Sequence, residues 1–258
     1  MLVRILDWNV CNENRAPPEK IVDFIFSHNP DIICLQEVPR LVLDTINSRV
    51  LGKYERVMGN DMRCGEELCF LVTLSRFPII KWRAIQALKK GGWRSFFSSF
   101  WHNIEEHLES LRVDILVERR RVRVLNVHLE VGTGPKNRLQ QFRHVLRHGI
   151  RRWTIKSAII AGDLNIYGQG WYERFVGWLW FGLRSVELLL NEREEFERIF
   201  KKRGLKNIFR EETTFSTGGV NFQFDHILVP RNTVVISRSV ISEHCGSDHT
   251  PIIGEIDI

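Results

Sequence analysis

The sequence predicts an α/β protein in which two mixed β-sheets pack together and helices cover their outer faces. Short apolar runs, typical of strands, alternate with helical patterns along the chain. At least two pairs of strands follow each other closely enough to form hairpins, and few helices remain to serve as crossovers. Uniform alternation of strand and helix fails in the second half, which argues against a single doubly wound parallel sheet.

Local patterns predict the individual elements. Residues 18–28 form a helix that begins at two prolines and has an apolar face. Residues 137–148 form an amphipathic helix, and residues 171–203 are mostly helical, with a break near Gly177 or Gly182. The predicted strands cover residues 2–8, 31–36, 69–74, 113–118, 121–129, 156–161, 225–229, 234–240 and 252–257.

Composition favours one globular domain over residues 1–258. The chain is 43% hydrophobic and 26% charged, which excludes disordered, collagen-like and low-complexity classes. It has no internal repeat and no linker, and no apolar run approaches the roughly 20 residues of a membrane-spanning helix. Arg4 interrupts the first apolar stretch, so the start lacks a secretory signal core. We therefore expect a cytoplasmic protein, or a mature form whose signal was removed.

The five cysteines form no zinc-binding pattern. Cys34 lies inside an apolar run and is expected to be a buried, reduced thiol. A disulfide between Cys64 and Cys69 in an oxidising compartment is left open.

Basic residues are concentrated in one region. The chain has a formal net charge of +6, yet 12 basic and 3 acidic residues fall between positions 112 and 156. We call this region the basic stripe. It suits a polyanionic partner, either nucleic acid or an anionic membrane surface, and the alternative is a solvated face without a ligand.

Polar residues follow or precede six of the predicted strands. Early strands run directly into Asn9, Glu37, His128 and the segment Gly162–Asp163–Leu164–Asn165, whereas late strands begin with Asp225 and Asp248–His249. If the late strands run antiparallel to the early ones, all these residues lie at one edge of the sheets, where open α/β sheets bind ligands.

The types of these residues limit the chemistry. The sequence has neither a nucleophile-elbow serine nor a phosphate-binding glycine loop. Oxygen ligands without thiolates favour Mg²⁺ or Mn²⁺. Histidines and carboxylates beside such an ion suit attack of water on a phosphate ester, where positioning and charge stabilisation dominate catalysis.

Seven short segments then identify a family resemblance, to the endonuclease/exonuclease/phosphatase superfamily, also called deoxyribonuclease-I-like. In chain order they are DWNV (7–10), LQEV (35–38), LSRFP (74–78), NVHL (126–129), GDLN (162–165), FDHI (224–227) and SDHTP (247–251). The resemblance covers nearly the whole chain and implies a four-layer α/β sandwich with Mg²⁺-dependent phosphoesterase activity.

The resemblance implies metal-binding roles for three residues. Glu37 corresponds to the principal metal ligand, Asn9 to a metal-site or phosphate-orienting residue, and Asp248 to a second metal or water contact. Cys11 is a departure, because the abasic-site and tyrosyl-DNA branches usually carry Asp at that position. This difference argues against a close assignment to those branches.

The resemblance also implies catalytic and supporting roles. Asp163 corresponds to the residue that positions or deprotonates water, Asn165 to a phosphate-binding residue, and His249 to the imidazole that stabilises charge. Asp225 corresponds to the partner of His249, and His128 to a second histidine on the phosphate or leaving group, where the abasic-site branch usually has Tyr. Arg138 is also a match, and we expect it to bind substrate or to support the site together with Gln141. His226 is expected to have a structural role.

The substrate stays open at this stage, since the superfamily hydrolyses DNA, RNA, phosphoinositides, sphingomyelin and nucleotides. Aromatic segments at 91–101 and 171–181 suit base stacking, a membrane interface or core packing. We favour a nuclease, endo or exo, acting as a monomer on DNA or other nucleic acid. The alternatives are a phospholipid or sphingomyelin phosphodiesterase with membrane lipid as partner, an inositol-type phosphatase and, remotely, a non-catalytic scaffold.

Overall fold

The computed structural model describes residues 1–50, 52–64, 67–86, 88, 104–106, 109–150, 157–167, 191–217 and 219–258. Within them the helices are α1 (Pro18–Ser27), α2 (Arg40–Arg49), α3 (Pro135–Gly149) and α4 (Glu192–Lys202). The strands are β1 (Leu2–Asn9), β2 (Ile32–Val38), β3 (Glu55–Cys64), β4 (Glu67–Ser75), β5 (Ile79–Gln86), β6 (Ile104–Glu106), β7 (Glu109–Val117), β8 (Arg120–His128), β9 (Ala158–Asp163), β10 (Leu205–Asn207), β11 (Phe215–Thr217), β12 (Val220–Phe222), β13 (Asp225–Pro230), β14 (Val234–Val240) and β15 (Ile252–Asp257).

Two mixed sheets contain most of these strands. The first has the spatial order β14-β15-β1-β2-β4-β3-β6 and the second β10-β13-β9-β8-β7-β5, while β11 and β12 form a separate ribbon. In each sheet one central pair is parallel, β1 with β2 and β8 with β9. The other described pairs are antiparallel.

Three apolar cores separate four layers, which confirms the predicted sandwich. The central core lies between the two sheets, and includes Ile5 and Val124. A second core joins the first sheet to α1 and α2, and a third joins the second sheet to α3 and α4. The central strands read as nearly continuous apolar runs because both of their faces are buried.

The late strands do run antiparallel to the early ones. Asp225 of β13 pairs with Asp163 of β9, and Asp163 also pairs with His128 of β8. In the first sheet, Asp7 of β1 pairs with Ile252, so the residues preceding β15 come close to the end of β1. The predicted gathering of strand ends at one edge is therefore confirmed.

Several elements lie where no element was predicted, above all α2, β3 and β5. Both aromatic segments, and residues 171–190 of the predicted long helix, lie outside the described residues. Cys34 is fully buried, as predicted. None of the described helices combines the length and apolar composition needed to cross a membrane.

Candidate active site

Backbone irregularities aim the side chains at the shared edge. The pairing of β2 with β4 shifts register between Leu35 and Val38, and Glu37 within that bulge has a φ of 50°. The pairing of β3 with β4 shifts around Asp61, and Asn165 has a φ of 49°. Bulges and left-handed backbone re-aim side chains at a cost in local strain, and they are frequent next to active sites.

Gly162 allows β9 to approach β8. Its φ is 147°, and a Cβ atom at this position would lie 1.8 Å from the carbonyl oxygen of Val127. Only glycine fits there, because it lacks that atom. The close approach places Asp163 directly opposite His128 in the parallel pair.

The three residues predicted to bind metal surround the loop after β1. The Asn9 amide donates to Glu37 Oε1 at 3.0 Å and accepts from the Cys11 backbone N–H at 3.0 Å. Burial, followed by the neighbouring carboxylates Asp248 and Glu37, raises the pKa of the Cys11 thiol to about 12. Cys11 therefore stands as a neutral thiol between two predicted metal ligands.

His249 is held by Asp225, as predicted. Its Nδ1 lies 2.8 Å from Asp225 Oδ2, so the ring donates this hydrogen bond. Burial disfavours the charged ring, but Asp225 and then Asp163 outweigh that effect and raise the pKa of His249 to about 10. The backbone of this loop is fixed by Ser247, whose hydroxyl accepts from the His249 N–H, and by the Trp8 indole, which donates to the His249 carbonyl.

A second histidine–carboxylate pair mirrors the first. His128 Nδ1 lies 2.8 Å from Oδ1 of Asp61, whose other oxygen accepts from the Glu37 backbone N–H at 2.7 Å. Both side chains are buried. Burial opposes the charge on His128, but Asp61, Asp163 and Glu37 together raise its pKa well above the usual 6.5. Asp61 is a functional candidate that sequence reasoning missed.

Asp163 lies between the two imidazoles. Its Oδ2 is 3.7 Å from His249 Nε2 and 3.8 Å from His128 Nε2, and it accepts from the Asn9 amide at 3.1 Å. Its Oδ1 accepts from the Asn165 backbone N–H, while the Asn165 side chain donates to the Leu129 carbonyl. Burial is the largest cause that raises the pKa of Asp163, which makes its carboxylate a stronger base.

Two groups of side chains are candidates for a cation. Single ligand atoms of Asp163, Asp225 and His249 lie within 4.8 Å of one another. A protonated His249 cannot ligate a metal, however, so this group is better explained as a proton-bearing pair beside a base. Glu37 fits a cation better. Burial raises its pKa, and within the described residues no lysine or arginine forms an ion pair with it.

A buried polar network lies directly beneath the site. The Gln36 amide donates to Asp7 Oδ1 and to Asn126 Oδ1, both at 2.9 Å. Asn126 in turn donates to carbonyls of β2 and β4, so the network ties both sheets together. Burial, followed by the charge of Asp225, raises the pKa of Asp7 well above its usual value.

Arg138 supports loops instead of pointing outwards. It is fully buried, and its guanidinium pairs with Glu192 of α4 at 2.7 Å and donates to the Glu130 carbonyl. The same group lies over the Tyr167 ring, and Gln141 donates to the Glu130 carboxylate. In this position Arg138 and Gln141 brace the loops that carry Leu129 and Asn165.

His226 is buried and bonded through Nδ1 to Asn207. Burial lowers its pKa well below 6.5, so the ring is neutral. This environment agrees with the structural role expected for it.

The basic stripe does not form one continuous surface. Arg112, Arg121 and Arg123 all bind Asp114, which is completely buried. The turn that carries Arg120 lies eight residues before His128, or roughly 26 Å away at about 3.3 Å per residue. This arginine-rich turn therefore lies at the opposite end of β8 from His128 and does not flank the site.

Comparisons with known proteins agree with this architecture. A sequence profile described as the Endonuclease/Exonuclease/phosphatase family matches residues 8–249. No curated protein matches the chain.

Solved structures share the fold at low identity. An endonuclease/exonuclease/phosphatase from Beutenbergia cavernae DSM 12333 superposes with a TM-score of 0.74 at 16% identity, covering 100% of this chain and 72% of that one. TDP2 from D. rerio, complexed with single strand DNA product, superposes with a TM-score of 0.65 at 15% identity, covering 100% of this chain and 99% of that one. The human Nocturnin catalytic domain with bound sulfate superposes with a TM-score of 0.67 at 14% identity, covering 99% of this chain and 94% of that one.

Proposed function

Since the chain belongs to the Endonuclease/Exonuclease/phosphatase family, we propose that it is a divalent-metal-dependent phosphodiesterase that cleaves nucleic acid by in-line attack of water. Members of this family are phosphoric ester hydrolases and generally use a divalent metal. The choice of nucleic acid, the metal dependence and the roles of individual residues belong to the proposal.

One observation carries the proposal. Two imidazoles, each bound through Nδ1 to a buried aspartate, direct their Nε2 atoms towards the same carboxylate oxygen of Asp163. The high pKa values of His128 and His249 keep both rings charged at neutral pH. This arrangement provides two positive groups and one base that could act together on one phosphate group.

The proton has a defined route. Asp163 takes a proton from the attacking water, because its raised pKa strengthens it as a base and Asn9 holds its Oδ2 in place. His249 keeps its proton and stabilises the charge that develops on the phosphate oxygens. His128 donates its Nε2 proton to the leaving oxygen, and Asp61 stabilises the ring before that transfer.

Glu37 is the side chain best placed to hold Mg²⁺ or Mn²⁺, with Asn9 and Asp248 beside it. A bound ion there supplies Lewis-acid polarisation of the phosphate oxygen. The ion would bring the positive charge that this acidic, buried edge lacks.

Nucleic acid is favoured by charge. The net charge of +6 suits a polyanionic chain, and a structurally similar protein, TDP2, is described as complexed with single strand DNA product.

A substrate panel with Mg²⁺ or EDTA tests the proposal. It contains plasmid DNA, labelled single-stranded DNA and RNA, sphingomyelin liposomes and inositol phosphates. Asp163→Asn should abolish Mg²⁺-dependent cleavage of nucleic acid at unchanged folding. Asp44→Asn, an exposed change on α2, makes the same chemical replacement at a residue outside the proposed site and should leave activity intact. Hydrolysis of liposomes or inositol phosphates only, or full activity of Asp163→Asn, would refute the proposal.

A further inference from the structure

A basic groove lies between α4 and the edge strand β10. It has a volume of about 520 Å³. We define the groove by its lining, which contains six basic residues, two acidic ones and a single apolar one: Arg193, Arg198, Lys201, Lys206, Arg210, Arg231, Glu194, Glu197 and Leu205. Six positive against two negative charges make it a strongly cationic concavity outside the proposed catalytic residues.

The groove begins near the active site. The Arg193 guanidinium donates to the Gln223 side chain, which also binds the backbone on either side of Arg210. Gln223 precedes Asp225, the partner of His249, by two residues. Arg193 and Arg210 therefore mark the end of the groove that faces the catalytic edge.

The other end of the groove lies at the end of β13 that is remote from the catalytic residues. Leu205 pairs with Pro230 at the far end of β13, and Arg231 follows directly. From Asp225 to Pro230 the strand rises roughly 17 Å, at about 3.3 Å per residue. A groove that runs alongside this strand can contact several successive phosphates of a nucleic acid.

Part of the positive charge is available to a ligand. Arg198 pairs with Glu194 and Glu195, and the Lys206 ammonium donates to a carbonyl. In contrast, Lys201, Arg210 and Arg231 are exposed and form no ion pair with any residue that the structure describes.

We propose that the groove binds the sugar–phosphate backbone of a nucleic acid that continues from the active site. This inference rests on the proposed function for its choice of substrate. Leu205, the one apolar residue in the lining, is buried. Docking of a protein in a membrane interface requires an exposed apolar face, which this groove lacks, so a chain of phosphates fits it better than a lipid surface.

Binding in EDTA separates the groove from catalysis. The full chain is titrated with labelled single-stranded DNA of 4 and of 14 nucleotides, by fluorescence anisotropy across a range of salt concentrations. The double variant Arg210→Gln/Arg231→Gln removes two phosphate contacts and should reduce the salt slope for the long strand by about 1.4. At 0.1 M salt this reduction in slope corresponds to roughly 25-fold weaker binding of the long strand by the double variant than by the wild type.

Lys53→Gln/Arg56→Gln is the matched control. It removes the same charge from two exposed residues outside the groove, and it should change binding much less. The groove variant should also keep the wild-type turnover of a small p-nitrophenyl phosphodiester and the wild-type affinity for the short strand.

Each outcome decides the inference. Equal affinity of the groove variant and the wild type for the long strand would overturn it, as would an equal loss in the control. Groove-dependent binding of phosphatidylserine vesicles without binding of DNA would overturn the nucleic-acid assignment. If the wild type hydrolyses no substrate while the groove variant alone loses DNA binding, the proposed function fails and the groove stands.

Discussion

Replacing Asp61 by Asn tests whether His128 acts as a charged group held by its carboxylate. Asp61 accepts two N–H bonds, one from the Glu37 backbone and one from His128 Nδ1. Asparagine has one acceptor oxygen, and its nitrogen is a donor. In the variant, either the Glu37 N–H faces another donor, or His128 loses its Nδ1 proton and with it the positive charge.

The size of the effect follows from the bond that is lost. A hydrogen bond to a charged group contributes about 1.5–3 kcal/mol. Asp61 is fully buried and His128 nearly so, which leaves little room for water to replace the contact. At 1.36 kcal/mol per tenfold change, kcat should fall by roughly 10- to 150-fold.

The assay compares kcat for Asp61→Asn, His128→Asn and the double variant on a labelled oligonucleotide. Because Asp61 acts through His128, the double variant should be no slower than His128→Asn. A p-nitrophenyl ester, whose leaving oxygen needs little proton donation, should be affected less by all three. Wild-type turnover of Asp61→Asn at equal folding would refute the reasoning, as would a double variant slowed by the product of both effects.

Three further predictions concern stability and pH. Gly162→Ala should destabilise the protein by more than about 3 kcal/mol in urea unfolding, because its Cβ would collide with the Val127 carbonyl, and an unchanged midpoint would contradict this. Asp225→Asn removes the main group that raises the pKa of His249 to about 10, so the alkaline limb of the kcat profile should move down towards 6.5; an unmoved limb would show that another group sets it. Burial opposes ionisation of Asp114, but three arginines hold its pKa below the ordinary value. Its ionisation therefore contributes stability above about pH 4 that is lost as the pH falls, and Asp114→Asn should cost about 2 kcal/mol or more at pH 7 and less at pH 3. An equal cost at both pH values would argue against that assignment.

Strand ends were the most informative feature of the sequence. Asn9, Glu37, Asp163 and His249 stand directly beside apolar runs, and the antiparallel direction of β13 and β15 brings them to one edge. Local patterns therefore place each residue at the end of a strand, and the gathering follows once the late strands run antiparallel to the early ones.

Asp61 and Arg138 show where local patterns fail. Asp61 lies at a bulge inside β3, a strand whose mixed polar sequence shows no clear alternation, and its partners are distant in the chain. The resemblance led us to expect that Arg138 binds substrate or supports the site, but the helix pattern gave no sign that Glu192, on another helix, pairs with it in the interior. Both roles depend on contacts between remote segments, which the spacing of residue types does not encode.

Charge counting fails for a related reason. Twelve basic residues in the stripe suggest one surface, yet three of them converge on the single carboxylate of Asp114. In contrast, residues 193–231 provide a cationic groove although that region contains many glutamates, because the fold turns several of the basic side chains to one side. The electrostatic potential at a binding surface depends on which charged side chains the fold leaves unpaired.

The charge balance of the site gives a last prediction. Five carboxylates, those of Glu37, Asp61, Asp163, Asp225 and Asp248, surround two imidazolium rings, which leaves a surplus of negative charge for a divalent cation to reduce. Mg²⁺ should therefore raise the unfolding temperature of the wild type, since a ligand that binds only the folded state stabilises it. The pKa of Glu37 is raised, so protons compete with the ion, and the shift should shrink between pH 7 and pH 5. Glu37→Gln should reduce the Mg²⁺ shift at pH 7, whereas Asp44→Asn should not. An equal shift in wild type and Glu37→Gln would place the ion elsewhere.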